Sequence, residues 1–276
     1  MREMIDCHVH TARCGHAKGS AVEYVEAAIE KGIATLVFTE HLPLPDDLDP
    51  DRRLSLPPGE LEEYASEVLA LAESYREIQV VLGAEVDWLE DRQEYMLEMI
   101  DRARGLGLAY LLGSVHFLGG WAFDSPHELE RWGEVAVDDV YERYFSQWCA
   151  AASSGLFDCM AHPDLPKKFG HRPTRDADAW YESAASCAAL GGTAIEVSTA
   201  GIRKPVGEIY PAPPMLSAFF SAGVEATVGS DAHEPAEVGY GLSQAYAALT
   251  DAGYTYAVCP NGGGKWRKVM LDISRG

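Results

Sequence analysis

The sequence predicts an α/β fold, a parallel sheet closed into a TIM-barrel-like (β/α) barrel in a single domain. Three observations carry this. Short β-branched or aliphatic runs alternate with longer amphipathic stretches seven times over, in a chain of 276 residues that suits one large domain. No low-complexity linker and no internal repeat divides the chain. Histidines and carboxylates gather at the ends of the strand runs, which in a β/α barrel converge on one face. An open doubly wound sheet is the alternative that the same alternation allows.

The elements follow in order. Residues 4–9 form the first strand, and 21–31 the helix after it, with Val22, Val25, Ala28 and Ile29 at the three-to-four spacing of one buried face. Strand 35–39 leads to helix 59–75, strand 79–84 to helix 91–105, and strand 109–115 to helix 137–153. Strand 157–161 precedes helix 176–190, strand 193–197 precedes helix 214–222, and 225–229 is the seventh strand. The segment 254–272 completes or caps the barrel, and Asn261-Gly-Gly-Gly264 interrupts any eighth strand there. Two long loops, 42–58 (rich in Pro and Asp) and 117–134 (with Trp121 and Trp132), read as either lids or disordered segments.

Composition restricts the function classes. Hydrophobic residues make up 47% and charged residues 24%, which excludes a disordered or fibrous chain. Lys and Arg total 22 against 43 Asp and Glu, a net charge of −21 that repels nucleic acid and anionic membrane. A small anionic substrate remains compatible, because bound metals or a local cationic pocket outweigh the global field. No apolar run approaches a membrane span, the first residues lack a signal core, and six cysteines lack paired spacing. The expected location is the cytoplasm; oligomeric state is not encoded in any pattern.

Seven of the nine histidines fall at or just after predicted strand ends. They occur in Asp6-Cys-His8-Val-His10 with His16 beyond, Glu40-His41, Gly113-Ser-Val-His116, Met160-Ala-His162 and Ser230-Asp231-Ala-His233, and the third strand adds Glu85. Residues i and i+2 of a strand point the same way, so His8 and His10 can address one ion. Imidazole mixed with carboxylate suits two to three divalent ions of Zn, Mn or Fe, and the cysteines are not arranged as ligands. His127 and His171 lie outside this pattern and read as solvated surface.

With these motifs the chain resembles the polymerase-and-histidinol-phosphatase (PHP) family of metal-dependent phosphoesterases, over about residues 4–239. The resemblance implies a distorted seven-stranded barrel. It implies that His8, His10, Glu85 and Asp231 hold one ion, that Glu85 bridges to a second bound by His116 and His162, and that His16, His41 and His233 hold a third. Asp6 and Glu40 would orient histidine ligands; capping a strand-end turn is their alternative role. Within the family, residues 38–45, 113–118, 196–205 and 208–211 are similar to the branch that hydrolyses L-histidinol phosphate in histidine biosynthesis. After His162-Pro-Asp-Leu165, where that branch often has arginine, this chain has Pro166-Lys167-Lys168.

The implied reaction is hydrolysis of a phosphate monoester by a metal-activated hydroxide. Arg203 is the expected bidentate phosphate clamp, with a surface salt bridge as its alternative. Lys167 or Lys168 would assist, with a solvated basic turn as their alternative. Phe117 would pack on the substrate imidazole, with ordinary core as its alternative. A metal-bound water, His233 or Asp231 are the candidate acids for the leaving group. Two other classes compete: a phosphodiesterase or nuclease, which would use the same ligands, and a non-enzymatic metal-binding module. The acidic surface disfavours polymeric substrates, and nine candidate ligands for up to three ions leave open positions, unlike a closed structural site.

Overall fold

The computed structural model describes residues 3–261 and 266–271. Seven parallel strands pair in sequential order: β1 (Met4–Val9), β2 (Ile33–Phe38), β3 (Gln79–Asp87), β4 (Tyr110–Ser114), β5 (Cys159–Met160), β6 (Ala194–Ser198) and β7 (Ala226–Gly229). A doubly wound sheet reverses its order at a switch point, so the sequential order decides for the barrel. Helices α1 (Ala21–Glu30), α2 (Leu61–Ser74), α3 (Gln93–Gly105), α4 (Val137–Ser153), α5 (Asp178–Gly191), α6 (Pro213–Ser221) and α7 (Leu242–Ala252) connect or follow the strands. Local chemistry sets their ends. Ser20 and Glu23 form a capping box on α1, prolines open α6, and left-handed Gly192 and Gly253 close α5 and α7.

The barrel is nearly closed. Among the described residues, an isolated bridge from Val9 of β1 to Ala232, just beyond β7, marks the seam, with His10 N–H donating to Ala232 O at 2.9 Å. Below it the Asp6 carboxylate joins the seam by accepting from Ser230 N–H (2.8 Å), Ser230 Oγ (2.6 Å) and Gly239 N–H (2.8 Å). Burial raises the pKa of this carboxyl above its ordinary value, and the bonds from Ser230 and Gly239 offset only part of that. Asp6 therefore closes the sheet, and none of these bonds reaches a histidine ring.

One feature was missed by the sequence reading, and another narrows its expectation that the C-terminal segment completes or caps the barrel. Helix α7 was not anticipated, and the C-terminal segment does not join the barrel sheet. It forms a separate antiparallel hairpin, β8 (Tyr256–Pro260) with β9 (Trp266–Met270). The hairpin packs at the N-terminal ends of the strands. Arg267 reaches Thr35 Oγ1 at 2.6 Å, Tyr256 OH donates to Glu225 at 3.0 Å, and Trp266 meets Tyr110 edge-on at 5.8 Å. Of the expected break at 261–264, only Asn261 is described; residues 262–265, and 272 onward, lie outside the described residues. With the hairpin below, the C-terminal ends of the strands are left as the open mouth. The loop 117–134 is anchored beside it by an edge-to-face cluster of Trp121, Phe123, Trp132 and Tyr144.

Candidate metal centre

Strand β1 delivers His8 and His10 to the mouth side by side, both fully buried. Their Nε2 atoms lie 2.9 Å apart, and Glu85 Oε2 from β3 lies 3.1 Å from His8 Nε2 and 3.3 Å from His10 Nε2. Asp231 Oδ1 completes the group at 3.6 and 3.4 Å from the same two nitrogens. Four donors bound to one tetrahedral ion at about 2.0–2.2 Å would stand about 3.3–3.6 Å apart. This set matches that spacing closely enough to hold one ion.

The other carboxylate oxygen of Glu85 faces a second set. Its Oε1 is 3.0 Å from His162 Nε2 and 3.6 Å from His116 Nε2, and the two imidazoles are 3.3 Å apart. The third set, His16, His41 and His233, has donor atoms within 4.8 Å of one another, with His16 and His233 Nε2 at 3.0 Å. His41 also sits 3.4 Å from Glu85. All nine candidate ligands thus lie in one cluster, and the sets overlap: His10 also groups with His233, and His41 with Glu85 and His116. His162 (φ 23°) and Asp231 (φ 50°) occupy the left-handed region, backbone strain of the kind that concentrates at functional sites. Cys14 has a sulfur near His10 and His233, but it donates to Thr11 O at 3.3 Å and burial keeps the thiol protonated.

Electrostatics supports a cationic occupant. Burial opposes protonation of His8, yet Glu196, Glu85 and Asp231 together hold its pKa well above the ordinary value. His116 behaves likewise: burial lowers it, but Asp87, Asp124 and Glu85 push it up to about 10. Burial disfavours the Glu85 carboxylate, but the surrounding imidazoles hold it well below the usual range. Without cations, protons must balance these buried carboxylates, and this donor set offers divalent ions the same positions.

Behind the cluster stand carboxylates that sequence reasoning missed. Glu196 Oε1 lies 2.9 Å from His8 Nδ1, and Asp87 Oδ1 lies 2.9 Å from His116 Nδ1. Such partners fix the tautomer and aim the free nitrogen at the metal. Glu40, expected in this role, faces His10 Nδ1 at 4.0 Å while accepting from the Thr11 N–H at 2.6 Å. Spacing could have found the others: Asp87 is two residues after Glu85 on β3, and Glu196 sits mid-strand in β6.

A cleft of about 760 Å³ opens over the cluster. Its walls include Leu44, Phe117 and Ala122 on one side and Lys168, Lys204 and Tyr210 on another. Phe117 lines the cleft from within a small apolar cluster with Leu44, Leu89 and Ala122. Lys168 Nζ pairs with Asp124 at 2.9 Å. Lys167 is not at the cleft; fully buried, it pairs with Asp164 at 2.9 Å and lies over the Tyr210 ring. The bidentate clamp expected of Arg203 is also corrected. Its Nη2 donates to the carbonyls of Ser230 (2.8 Å) and Asp231 (2.9 Å), and its Nε pairs with Glu237 at 3.0 Å. A phosphate fork needs two parallel free N–H groups, and neither edge containing Nη2 is free. Lys204, next in sequence, was overlooked. It lines the cleft, and burial and the neighbouring Lys168 hold its pKa below the ordinary value. His127 is exposed at the rim, whereas His171 stacks on Trp132 at 4.0 Å.

Fold and donor set together define a β/α barrel built around a histidine–carboxylate cluster. The chain belongs to the PHP domain family, whose model matches residues 6–200. It is 38% identical over 256 residues to a Deinococcus radiodurans protein named probable histidinol-phosphatase, covering 92% of this chain and 95% of that one. It is 27% identical over 259 residues to the histidinol-phosphatase of Bacillus subtilis, covering 85% and 95%. Among solved structures, the histidinol phosphate phosphatase of Lactococcus lactis, complexed with Zn, L-histidinol and phosphate, aligns with a TM-score of 0.80 at 19% identity. That alignment covers 96% of this chain and 99% of the other, and it shows a shared fold.

Proposed function

We propose that this protein hydrolyses a phosphate monoester, L-histidinol phosphate, to L-histidinol and inorganic phosphate, with two to three divalent ions of the Zn, Mn or Fe type. The observation that carries the reading is the Glu85 carboxylate, with His8 and His10 on one oxygen and His162 and His116 on the other, on the floor of an open cleft. The substrate comes from the relatives: two similar proteins over 85% or more of the chain are named for it.

His8, His10, Glu85 and Asp231 would hold one ion, Glu85, His116 and His162 a second, and His16, His41 and His233 a third. Bound there, such ions supply Lewis acidity that lowers the pKa of water and offsets charge on phosphoryl oxygens. The residues around them bind and orient the substrate. Lys168 and Lys204 present ammonium groups to the phosphate, with Asp124 holding Lys168 in place. Phe117, Leu44 and Ala122 offer an apolar wall to the imidazole end. Asp231 and His233, the candidate acids, are both biased towards the forms that ligate a cation. Burial disfavours the Asp231 carboxylate, but His8 and His10 hold its pKa well below the usual range. Burial holds the His233 ring well below its ordinary value.

The protein is expected to act in the cytoplasm on a small anionic substrate, without nucleic acid or membrane. None of the described helices is long and apolar enough to cross a membrane. Phosphate release from histidinol phosphate, 5′-nucleotides, simple alkyl phosphates and an aryl phosphodiester tests the proposal. The expected result is a kcat/KM for histidinol phosphate more than tenfold above every other substrate. Comparable rates across the panel would refute the substrate, and preferential diester cleavage would establish the phosphodiesterase class instead.

A further inference from the structure

His8 and His162 are each held between the same two carboxylates. On the cleft side, Glu85 places Oε2 at 3.1 Å from His8 Nε2 and Oε1 at 3.0 Å from His162 Nε2. On the far side, Glu196 places Oε1 at 2.9 Å from His8 Nδ1, while Oε2 accepts the backbone N–H of His162 at 2.8 Å. Glu196 is 1% exposed, so neither contact competes with bulk water. The strands make room for it. A Cβ on Gly229 of β7 would lie 2.1 Å from Glu196 Oε1 and 2.7 Å from His8 Cβ, so only glycine admits the pair. His162 also needs restraint, because its φ of 23° is one that side-chain-bearing residues rarely adopt.

We propose that Glu196 is a positioning residue that ties two ion subsites together from behind. It fixes the proton of His8 on Nδ1, leaving Nε2 free to ligate, and it fixes the backbone that aims the His162 ring. Removing it weakens both subsites, although it is a ligand in neither. The inference rests on the reading of His8 and His162 as ligands to neighbouring ions.

The test is a competition titration of the metal-stripped, full-length chain with Zn²⁺ against a chromophoric chelator. His8→Ala and His162→Ala mark the two subsites, and a Co²⁺ absorption spectrum reports the ligand field. Glu196→Ala is expected to weaken Zn²⁺ binding about 10–100-fold at both subsites. Glu196→Gln keeps the shape, but its single carbonyl oxygen accepts from only one of the two donors, so it should weaken one subsite more than the other. If Glu196→Ala does not fold, as judged by circular dichroism of the metal-free protein, Glu196→Gln carries the test alone. Wild-type affinity at either subsite in Glu196→Ala, or at both in Glu196→Gln, overturns the proposal. A distinct outcome, in which the wild type itself does not bind Zn²⁺ and His8→Ala changes nothing, overturns the metal reading and this inference with it.

Discussion

Arg203→Ala is the substitution on which the sequence and the structure disagree most sharply. A phosphate clamp requires that its loss cut turnover while leaving metal content and stability unchanged. The structure instead places the guanidinium as a brace under the Asp231-Ala-His233 turn. It donates to Ser230 O and Asp231 O and pairs with Glu237, whose Oε2 in turn accepts the His233 N–H at 2.9 Å. Hydrogen bonds involving a charged partner contribute about 1.5–3 kcal/mol each. Losing the two carbonyl bonds alone therefore costs at least about 3 kcal/mol. Glu237 is 28% exposed, so solvent screens its pair and little is added for it. For a domain of this size, 1 kcal/mol moves Tm by about 2–4 °C. Arg203→Ala should then melt about 6–12 °C lower, by the same conversion. Because the braced turn carries Asp231 and His233, Zn²⁺ affinity should fall together with kcat/KM. Arg203→Lys offers one ammonium for three partners and should remain several degrees below wild type. Melting, chelator competition and steady-state kinetics on the same preparations decide the matter. A Tm within about 1 °C of wild type with unchanged metal binding and a large loss of kcat/KM would refute the brace.

Three further predictions follow from the site and its loops. Chelation should abolish phosphate release, with Zn²⁺, Mn²⁺ or Fe²⁺ restoring it, and Glu85→Ala should deplete two ions at once; full turnover in metal-free protein, or wild-type metal content in Glu85→Ala, would contradict this. In the metal-free protein the pKa of His116 stands at about 10: burial lowers it, but Asp87, Asp124 and Glu85 raise it more. A raised folded-state value contributes stability that is complete below the unfolded pKa near 6.5 and lost as pH climbs through the folded value. Metal-free protein should thus lose Tm between about pH 7 and 10, His116→Gln should flatten that slope, and Zn²⁺ added at about pH 8 should release the His116 proton. Gly201→Ala should cost about 2–3 kcal/mol by overpacking, because its Cβ would fall 2.1 Å from Glu208 O and 2.9 Å from the Tyr210 ring; a melt indistinguishable from wild type would show that the loop relaxes freely.

The barrel was readable because its strands are buried aliphatic runs and its helices amphipathic, each period pointing to one element type. Where the signal weakens, the reading weakens for a physical reason. Strand β5 pairs over only Cys159–Met160, so the five-residue run 157–161, which already contains Asp158, overstates its length. Helix α7 begins after Gly241, a left-handed N-cap with no side chain to accept a hydrogen bond, so the usual start signal is missing although Leu242, Ala245, Tyr246 and Leu249 share a buried face. The hairpin β8–β9 was hidden because Trp266–Met270 buries only Val269, between exposed Lys268 and Met270. Nothing local says that such a strand pairs with its neighbour rather than with the barrel edge.

The clustered histidines and carboxylates were readable for a different reason: a strand end fixes both the position and the direction of a side chain, so motif and geometry coincide. That logic extends to Asp87 and Glu196, which also sit on strands and could have been found. It does not extend to the cations. Arg203 and Lys168 each follow a strand end within a short 3₁₀ turn, and nothing in their local sequence separates a brace from a substrate contact. Their partners separate them. Arg203 meets two backbone carbonyls 27 and 28 residues away on the next strand's turn, and so is turned inward under the cluster. Lys168 meets the single carboxylate of Asp124, 44 residues earlier in the cleft wall, and so stays at the cavity with its charge facing the site. Both outcomes depend on which loop lies across the mouth, a property of the closed barrel rather than of either motif, so charge and position in the sequence identify candidates for phosphate contact but not which of them is free to make it.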